Sequence, residues 1–328
     1  METGNKRVLV TGAAGYIGSV LTRQLLDAGY YVRGFDKLLF GGESLLSIFN
    51  HPRFEFFNGD IRDTDQVITA LDGINYVVHL AAIVGDPACA QQPEIAKETN
   101  WEASKNLFDL CQDKNIMRFV FASTCSNYGK MEGNSFVTEE SPLRPVSLYA
   151  ELKVKFEKYI LESKTKDSFI PTALRFATVY GISPRMRFDL TVNEFVRDLF
   201  FGKELEVFGE QFWRPYCHVE DLARSCLTVL ESDPSKVDHD VFNVGDTNEN
   251  YTKKMIVEEI KRVLPDSKIK YVHKKEDPRD YRVSFEKIKK VLGFQISKTV
   301  PEGIKELVTL LRSNLLTDPF SNKYRNIK

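Results

Sequence analysis

Paired cysteines are missing from this sequence of 328 residues. The five cysteines are odd in number, widely separated and free of any C-x-x-C pair. A disulfide framework or a structural zinc site needs cysteines at short, repeated spacings. The sequence therefore predicts neither a disulfide scaffold nor a metal site, and it favours a reducing compartment, the cytoplasm. The positions are Cys89, Cys111, Cys125, Cys217 and Cys226.

Long apolar runs and an excess of one charge are lacking as well. The longest strongly apolar stretch, residues 76–84, is much shorter than the roughly 20 residues that a membrane span requires. Basic and acidic residues number 45 and 46, so no overall field attracts nucleic acid or an anionic membrane. We expect a soluble protein with neither of these partners, in which locally clustered arginine or lysine binds any anionic ligand.

Short β-branched runs alternate with helical patterns up to about residue 176. This alternation is typical of an α/β fold, a doubly wound parallel sheet with helices on both faces. Beyond residue 176 the pattern becomes irregular and predicts a smaller, mixed α/β region. We therefore predict two joined domains, residues 1–176 and 177–328, with segments around 209–245 returning to the core of the first.

A glycine-rich turn connects the first predicted strand to the first predicted helix. Gly12, Gly15 and Gly18 give the spacing G-x-x-G-x-x-G, directly after a strand at 8–10 and before a helix predicted from Ser19. Glycines here permit a tight turn and let the backbone approach a pyrophosphate, whose charge is met by the helix N-terminus. The alternative is that these glycines only end a strand, but the strand, the helix and a following acid together favour a dinucleotide site.

Two acids follow the next predicted strands. Asp36 ends the second strand, where a carboxylate can accept hydrogen bonds from the adenosine ribose and repel a 2′-phosphate. NAD is thus predicted over NADP, a preference that the adjacent Lys37 weakens. Asp60 follows the third strand and could bind the adenine amino group or cap a helix. The sequence leaves both roles for Asp60 open.

Tyr149 and Lys153 form the pattern Y-x-x-x-K, one helical turn apart on the same face of a predicted helix. The same spacing begins at Tyr271 and at Tyr324, so it is a weak signal by itself. Tyr149 differs in its surroundings, because it follows a strand and the polar loop 123–129, which ends in glycine. The structural alternative is an aromatic side chain and a charge on a helix surface.

Together these motifs resemble those of the extended short-chain dehydrogenases/reductases, and the resemblance covers nearly the whole chain. That subgroup includes nucleotide-sugar 4-epimerases, 4,6-dehydratases and related C4 oxidoreductases. The resemblance implies an NAD-binding Rossmann domain at 1–176 and a mainly nucleotide-sugar-binding domain at 177–328. The segments that carry it are 11–18, Asp60-Ile61, Leu80-Ala81-Ala82, Asn100, 123–129, Tyr149 with Lys153, and 214–219.

The resemblance also implies catalytic roles. Tyr149 would take the proton from a sugar hydroxyl as general base, Lys153 would stabilise the phenolate, and Thr124 would orient the same hydroxyl. An unperturbed tyrosine titrates near 10, so the pKa of Tyr149 must fall for this task. The implied cofactor-binding residues are Gly12, Gly15, Tyr16, Ile17, Gly18, Asp36, Lys37, Asp60, Ile61, Leu80, Ala81, Ala82, Asn100, Tyr149 and Lys153.

For the C-terminal half the resemblance implies a nucleotide diphosphate sugar as ligand. Arg214 and Arg279 match phosphate-binding arginines, whose guanidinium groups suit bidentate contacts with phosphate oxygens. Asn193 aligns near an amide-bearing substrate position, and Arg185 and Arg187 add positive charge beside the predicted cleft. For any one of these arginines, a solvated surface role is the alternative. The predicted substrate-binding residues are Thr124, Asn193, Arg185, Arg187, Arg214 and Arg279.

One departure from the family narrows the chemistry. The 4,6-dehydratases place an Asp-Glu pair directly after the catalytic threonine, where this chain has Cys125 and Ser126. Neither residue supplies that acid/base pair, so dehydration is disfavoured. Cys125 is interpreted as a packed thiol and not as a nucleophile.

The predicted activity is therefore that of an NAD-dependent oxidoreductase or epimerase at C4 of a nucleotide-activated sugar. Segments 140–145, 181–190 and 277–284 are similar to enzymes that oxidise C4 of GDP-heptoses, so release of a keto sugar stays an alternative to epimerisation. A non-catalytic NAD-binding regulator and a reductase of a different small carbonyl compound also stay open. The family suggests a homodimer formed through helices 94–113 and 149–162, although their apolar stripes could equally face the sheet.

Overall fold

A seven-stranded parallel sheet forms the centre of the computed structural model, which describes residues 6–130, 135–273 and 279–326. Strands and helices alternate through the first half of the chain. In chain order they are β1 (Arg7–Thr11), α1 (Tyr16–Asp27), β2 (Tyr31–Asp36), β3 (Phe54–Asn58), α2 (Thr64–Ala70), β4 (Tyr76–His79), α3 (Asp86–Gln91), α4 (Pro93–Lys97), α5 (Ser104–Asp113), β5 (Arg118–Thr124), α6 (Leu148–Glu162) and β6 (Ile170–Phe176).

The second half is less regular, as the sequence predicts. Its elements are β7 (Thr178–Tyr180), α7 (Thr191–Phe200), β8 (Leu205–Phe208), β9 (Trp213–His218), α8 (Val219–Glu231), β10 (Asp240–Val244), β11 (Asn250–Thr252), α9 (Lys253–Val263), β12 (Ile269–Val272), α10 (Glu286–Leu292) and α11 (Val300–Arg312). Strands β7, β9 and β11 form a small mixed sheet, and β8 pairs with β12.

The large sheet has the strand order β10-β6-β5-β4-β1-β2-β3. All of its pairings are parallel, and the order runs outward in both directions from β1 and β4. This is the doubly wound Rossmann arrangement, and it confirms the predicted fold class. In such sheets ligands bind at the carboxyl ends of the strands where the order reverses, here between β1 and β4.

Both faces of the sheet are buried, because successive strand residues point to opposite sides. Val8 and Val10 pack on the face covered by α1 and α8, whereas Leu9 packs on the face covered by α5 and α6. A separate apolar core joins α7, α9 and α11 in the second half. After the small sheet the chain returns to the large one, where β10 pairs with β6.

The helix predicted over 94–113 is interrupted. Between α4 and α5 the backbone forms a π-helical turn at Glu98–Ala103, which includes Asn100. The Asn100 amide bonds the backbone of Ile83 in both directions, at 2.8 and 2.9 Å, and Ser104 Oγ donates to Thr99 O at 3.0 Å. These inward bonds accompany the local widening of the helix, and π-turns of this kind are frequent near functional sites.

Another difference concerns the glycine-rich turn. Helix α1 begins at Tyr16, not at Ser19, so Gly18 lies within its first turn. Across the described residues, no helix is both long enough and apolar enough to span a bilayer.

Candidate active site

A cleft of about 340 Å³ opens at the carboxyl ends of β1, β2, β4 and β5, at the reversal point of the sheet. It brings together most of the residues that the sequence predicts for cofactor and catalysis. Of the predicted residues, the cleft is lined by Gly12, Gly15, Tyr16, Ile17, Gly18, Asp36, Lys37, Asp60, Ile61, Leu80, Ala81, Ala82, Thr124, Tyr149, Lys153, Arg185 and Arg187.

The glycine-rich turn packs so closely against neighbouring backbone that two of its glycine positions have no room for a side chain. Gly12 has φ +75°, and a Cβ there would lie 2.9 Å from the backbone nitrogen of Ala81. A Cβ on Gly18 would overlap the carbonyl oxygen of Gly12. Gly15 is the N-cap of α1, and no side chain caps this helix end. The uncapped N-terminus of α1, approached by this closely packed glycine turn, therefore fits the pyrophosphate of a dinucleotide.

Asp36 is held at the end of β2 by the backbone. Its Oδ2 accepts from Ala14 N at 3.0 Å and its Oδ1 from Leu38 N at 2.7 Å. Burial raises the pKa of this carboxyl, whereas the two backbone hydrogen bonds act in the opposite direction. The carboxylate is thus fixed at the edge of the cleft, the place expected for a group that binds ribose hydroxyls.

The ammonium group of Lys37 forms an ion pair with a neighbouring carboxylate. Lys37 Nζ lies 2.7 Å from Asp60 Oδ2, and Arg62 bonds the same carboxylate. Although burial alone would raise the pKa of Asp60, the bonds from Arg62 and Lys37 bring it well below its usual range. Of the two roles left open for Asp60, capping of α2 is excluded, because Asp63 is the N-cap and accepts from the helix backbone.

Tyr149, Lys153 and Thr124 meet at the floor of the cleft. Tyr149 lies in the first turn of α6, which Ser147 caps, and the Thr124 side chain at the end of β5 is close enough to its hydroxyl to lower the pKa of the phenol. One turn later, Lys153 Nζ lies 5.9 Å from the centre of the Tyr149 ring and donates to Ala122 O at 2.7 Å. The phenol and the ammonium therefore line the same cleft as the glycine-rich turn.

Burial sets the ionisation of this pair. It raises the pKa of Tyr149 well above its ordinary value, an effect reinforced by Cys89 and Asp86 and opposed by Arg187 and Thr124. It lowers the pKa of Lys153 to about 8. The protein by itself thus keeps the phenol protonated at neutral pH, the reverse of the fall that a general base requires. A further positive charge in the cleft is needed to favour the phenolate.

Asn100 and Asn193 do not line the cleft, but they form hydrogen bonds to residues that do. Asn100 fixes the backbone of Ile83, a lining residue. Asn193 is fully buried, accepts from Gly181 N at 3.0 Å, and donates to Arg187 O at 2.8 Å and Tyr16 OH at 3.0 Å. These amides hold residues that face the ligand.

The four predicted arginines divide into two groups. Arg185 and Arg187 line the cleft, and Arg187 makes a forked ion pair with Asp189 at 2.9 and 3.0 Å. Arg214 and Arg279 lie outside the lining residues. Part of the motif around Arg279, residues 277 and 278, falls outside the described chain.

Arg214 and Arg279 are nevertheless connected to the residues predicted for catalysis. Arg279 Nη1 lies 2.7 Å from Asp86 Oδ2, and Asp86 also accepts from Ser147 Oγ at 2.6 Å, two residues before Tyr149. The Arg214 guanidinium lies 5.3 Å from the centre of the Tyr281 ring, and the Tyr281 hydroxyl donates to Ser126 Oγ at 3.5 Å. Both arginines therefore flank the floor on which Tyr149 and Thr124 lie.

Several residues of the site escape prediction from sequence. Phe40 and Asn326 line the cleft from a surface loop and from the C-terminal tail, with no motif to mark them. Beneath the Thr124 loop, Arg175 Nη2 pairs with Glu157 Oε1 at 2.6 Å, and Glu157 Oε2 accepts from Ser123 Oγ at 2.6 Å. An arginine within the mostly apolar β6 is the one sequence signal that could have indicated this buried pair.

Comparison with known proteins agrees with this site. The model of the NAD dependent epimerase/dehydratase family matches residues 8–245. The UDP-glucose 4-epimerase of Lactobacillus helveticus is 30% identical over 278 residues, which cover 78% of this chain and 81% of that protein.

Solved structures of two epimerases share the fold over almost their whole length. Thermotoga maritima UDP-glucose 4-epimerase with UDP-glucose has a TM-score of 0.84 at 28% identity, covering 94% of this chain and 99% of that one. Thermus thermophilus UDP-glucose 4-epimerase in complex with NAD has a TM-score of 0.81 at 26% identity, covering 93% and 99%. NAD is therefore the cofactor, as predicted, and the uncapped helix end at the glycine-rich turn fits it. The chain belongs to the NAD-dependent epimerase/dehydratase family of extended short-chain dehydrogenases/reductases.

Proposed function

We propose that this chain is an NAD-dependent oxidoreductase of the epimerase type that acts at C4 of a nucleotide-activated sugar. The observation that carries the proposal is the position of Tyr149. Its phenol lies in the same cleft as the glycine-rich turn, beside the Thr124 side chain and one helical turn from Lys153. A module that only bound NAD would have no need of a buried proton-transfer group at this point.

Tyr149 is proposed to take the proton of the C4 hydroxyl as the C4 hydrogen leaves as hydride, which converts the carbinol to a ketone. NAD, when bound, supplies the hydride acceptor and the positive charge that the phenol needs in order to ionise. Lys153 donates to Ala122 O and adds a second positive charge near the phenol. Thr124 orients the hydroxyl through its own hydrogen-bonding side chain. Proton transfer of this kind contributes about 10²- to 10⁴-fold to a rate.

Arg214 and Arg279 are proposed to bind the diphosphate of the nucleotide sugar. Guanidinium groups bind phosphate oxygens in bidentate fashion, and these two flank the floor on which Tyr149 and Thr124 lie. Arg279 is paired with Asp86 in this structure, so the diphosphate would replace a carboxylate as its partner. The nearly neutral chain can thus bind a dianion through a few local cations.

Two outcomes are compatible with this chemistry. Return of the hydride to the opposite face gives the C4 epimer, the outcome named for the Lactobacillus and Thermotoga relatives. Release of the ketone gives a keto sugar and is the alternative. Water elimination is disfavoured, because Cys125 is buried, donates to Arg175 O at 3.2 Å, and has a thiol pKa raised by burial. The proposed homodimer through α5 and α6 stays a prediction.

The test is turnover of a panel of UDP-, GDP-, dTDP- and CDP-sugars by the wild type and by Tyr149→Phe. We expect an epimer or a keto sugar from at least one sugar, and a rate about 10²- to 10⁴-fold lower in Tyr149→Phe with NAD still bound. Tyr159→Phe is the matched control, since Tyr159 lies on the same helix and donates to Asp109, away from the cleft. Absence of turnover across the panel, or equal rates in the wild type and Tyr149→Phe, would contradict the proposal.

A further inference from the structure

Arg185 is a buried cation with an unused hydrogen-bond donor. It lies between β7 and α7, is 7% exposed, and lines the cleft together with Asp36 and Phe40. Its Nη2 donates to the backbone oxygen of Arg325 at 3.1 Å, and its guanidinium carbon lies 4.4 Å from the centre of the Phe40 ring. Its Nε is buried without a hydrogen-bond partner. Such a donor is costly to leave unsatisfied.

The charges around Arg185 do not neutralise it. Burial and the neighbouring Arg187 lower the pKa of Arg185 to about 10, although Asp189 and Asp36 attract it. Both carboxylates have other partners: Asp36 accepts from two backbone amides, and Asp189 is bound by Arg187 and by Asn326 N. Within the described part of the chain, Arg185 makes no ion pair of its own. A buried guanidinium in this state is suited to receive an anion from the cleft.

The C-terminal tail, defined as residues 322–326, places Arg185 and adds a second unused group. Phe188 N donates to Tyr324 O and Asn326 N donates to Asp189 Oδ2, both at 2.8 Å. With the Arg185 bond to Arg325, three bonds therefore tie the tail to the segment 185–189. Asn326 itself lines the cleft, and its buried side-chain oxygen has no hydrogen-bond partner among the described residues.

We propose that Arg185 and Asn326 are ligands of the adenosine diphosphate half of NAD, placed by the C-terminal tail. Arg185 donates to a phosphate oxygen, and the Asn326 side-chain oxygen accepts from a ribose hydroxyl. One unused donor beside one unused acceptor matches a ligand that carries both anionic oxygens and hydroxyls. Their neighbours Asp36 and Phe40 belong to the β2 end of the cleft, whereas Arg214 and Arg279 flank Tyr149 and Thr124.

This assignment differs from the substrate role that the sequence suggests for Arg185. It rests on NAD as the cofactor and not on the sugar chemistry proposed above, so the two can fail separately. It also extends the cofactor site beyond the Rossmann half, because the tail lies at the far end of the chain. Since the charged contact is with phosphate, binding of ADP-ribose should depend on Arg185 even though this probe lacks nicotinamide.

The test is calorimetric binding of ADP-ribose to NAD-free protein. We expect Arg185→Met to weaken ADP-ribose binding about 10- to 100-fold, as for a lost charge-assisted hydrogen bond, and Asn326→Ala to weaken it severalfold. UDP and GDP, probes of the sugar-nucleotide side, should bind Arg185→Met as they bind the wild type. Arg262→Met removes an exposed charge that pairs with Glu259 and is the matched control.

Arg185→Lys keeps the positive charge and guards against a folding defect in Arg185→Met. It should bind ADP-ribose better than Arg185→Met and less well than the wild type, with an unchanged thermal midpoint. Wild-type affinity for ADP-ribose in both Arg185 variants would overturn the proposal. A loss of UDP or GDP binding with ADP-ribose binding intact would overturn it as well, because Arg185 would then be a substrate-binding residue.

Discussion

The two sides of the cleft differ in how completely they are formed. On the cofactor side, the glycine turn, the end of α1 and the amide-bound Asp36 present their groups to the ligand without rearrangement. On the sugar side, Arg279 is paired with Asp86, and Arg214 donates to the backbone oxygen of Trp213 at 2.6 Å and packs on Tyr281. The difference fits a preformed cofactor site beside the proposed substrate site, whose cations would have to exchange protein partners for phosphate.

The largest effect on the cofactor side is expected from a substitution of Gly18. We expect Gly18→Ala to weaken NAD binding more than about 100-fold and to lower the free energy of unfolding by about 2 kcal/mol, because the added Cβ overlaps the Gly12 carbonyl. Calorimetry with NAD and chemical denaturation measure both effects. In Gly42→Ala the nearest atoms are the flexible ends of Leu38, so this control should behave as wild type. Wild-type NAD affinity in Gly18→Ala would show that the turn is not preformed.

The stability of the NAD-free protein should depend on pH through Lys153, which lies at the floor shared by both sides. Its folded pKa of about 8 lies below the ordinary 10.5, so the folded state releases this proton first as the pH rises. The buried charge therefore destabilises the NAD-free protein below pH 8, and this cost is relieved between pH 8 and 10.5, by about 3 kcal/mol at most.

The measurement is denaturant unfolding of the NAD-free wild type and of Lys153→Met at several pH values from 7 to 10.5. The difference in unfolding free energy between the two should change in favour of the wild type as the pH rises. Other titrating groups cancel in this comparison, because both proteins carry them. A difference independent of pH would mean that Lys153 is not desolvated as the structure shows.

Arg279 tests the exchange of partners on the sugar side. Arg279→Met should raise the KM for the nucleotide sugar about 10- to 100-fold, since a charge-assisted contact with phosphate is lost. Binding of NAD should stay unchanged, because Arg279 lies outside the cofactor cleft. Arg224→Met, which breaks an ion pair with Asp221 on α8, is the control for loss of a charge. If Arg279→Met weakened NAD binding as much as it raised the KM for the nucleotide sugar, the two sides would not be distinct.

The smallest effect is expected at Lys37. Its half-exposed ammonium pairs with Asp60, and such pairs are worth less than about 1 kcal/mol. Lys37→Gln should therefore change NAD affinity by less than about threefold and should leave NADP excluded, because Asp36 remains fixed at the end of β2. Competition of the two cofactors at equilibrium checks this. Loss of NAD selectivity would show that Lys37, and not Asp36, controls the choice.

The same contrast explains what the sequence could predict. The glycine turn, Asp36 and the Tyr149–Lys153 pair are each defined by neighbours close in the chain, within a strand-turn-helix unit or one helical turn. The wall formed by Phe40 and Asn326 could not be predicted, because it joins segments distant in sequence. The pKa of Tyr149 was also out of reach, since its direction depends on burial within the folded cleft.

Helix details followed the same rule. The helix predicted over 149–162 agrees with α6 to within one residue, because its pattern lies within the helix itself. The π-turn at Glu98–Ala103 was missed because the inward bonds of Asn100 reach Ile83, a residue outside the helix. Asp60 was a plausible cap by position, but the cap is Asp63, whose carboxylate reaches the first free amides of α2.

The central claim is that Tyr149 takes a proton while hydride leaves C4 of a bound nucleotide sugar. The most direct test mixes NAD-loaded enzyme rapidly with an active nucleotide sugar and follows the absorbance of reduced nicotinamide. We expect a transient that deuterium at C4 slows, that deuterium at C3 or C5 does not, and that Tyr149→Phe abolishes. Turnover without any reduced nicotinamide, or slowing by deuterium at another ring carbon, would contradict it.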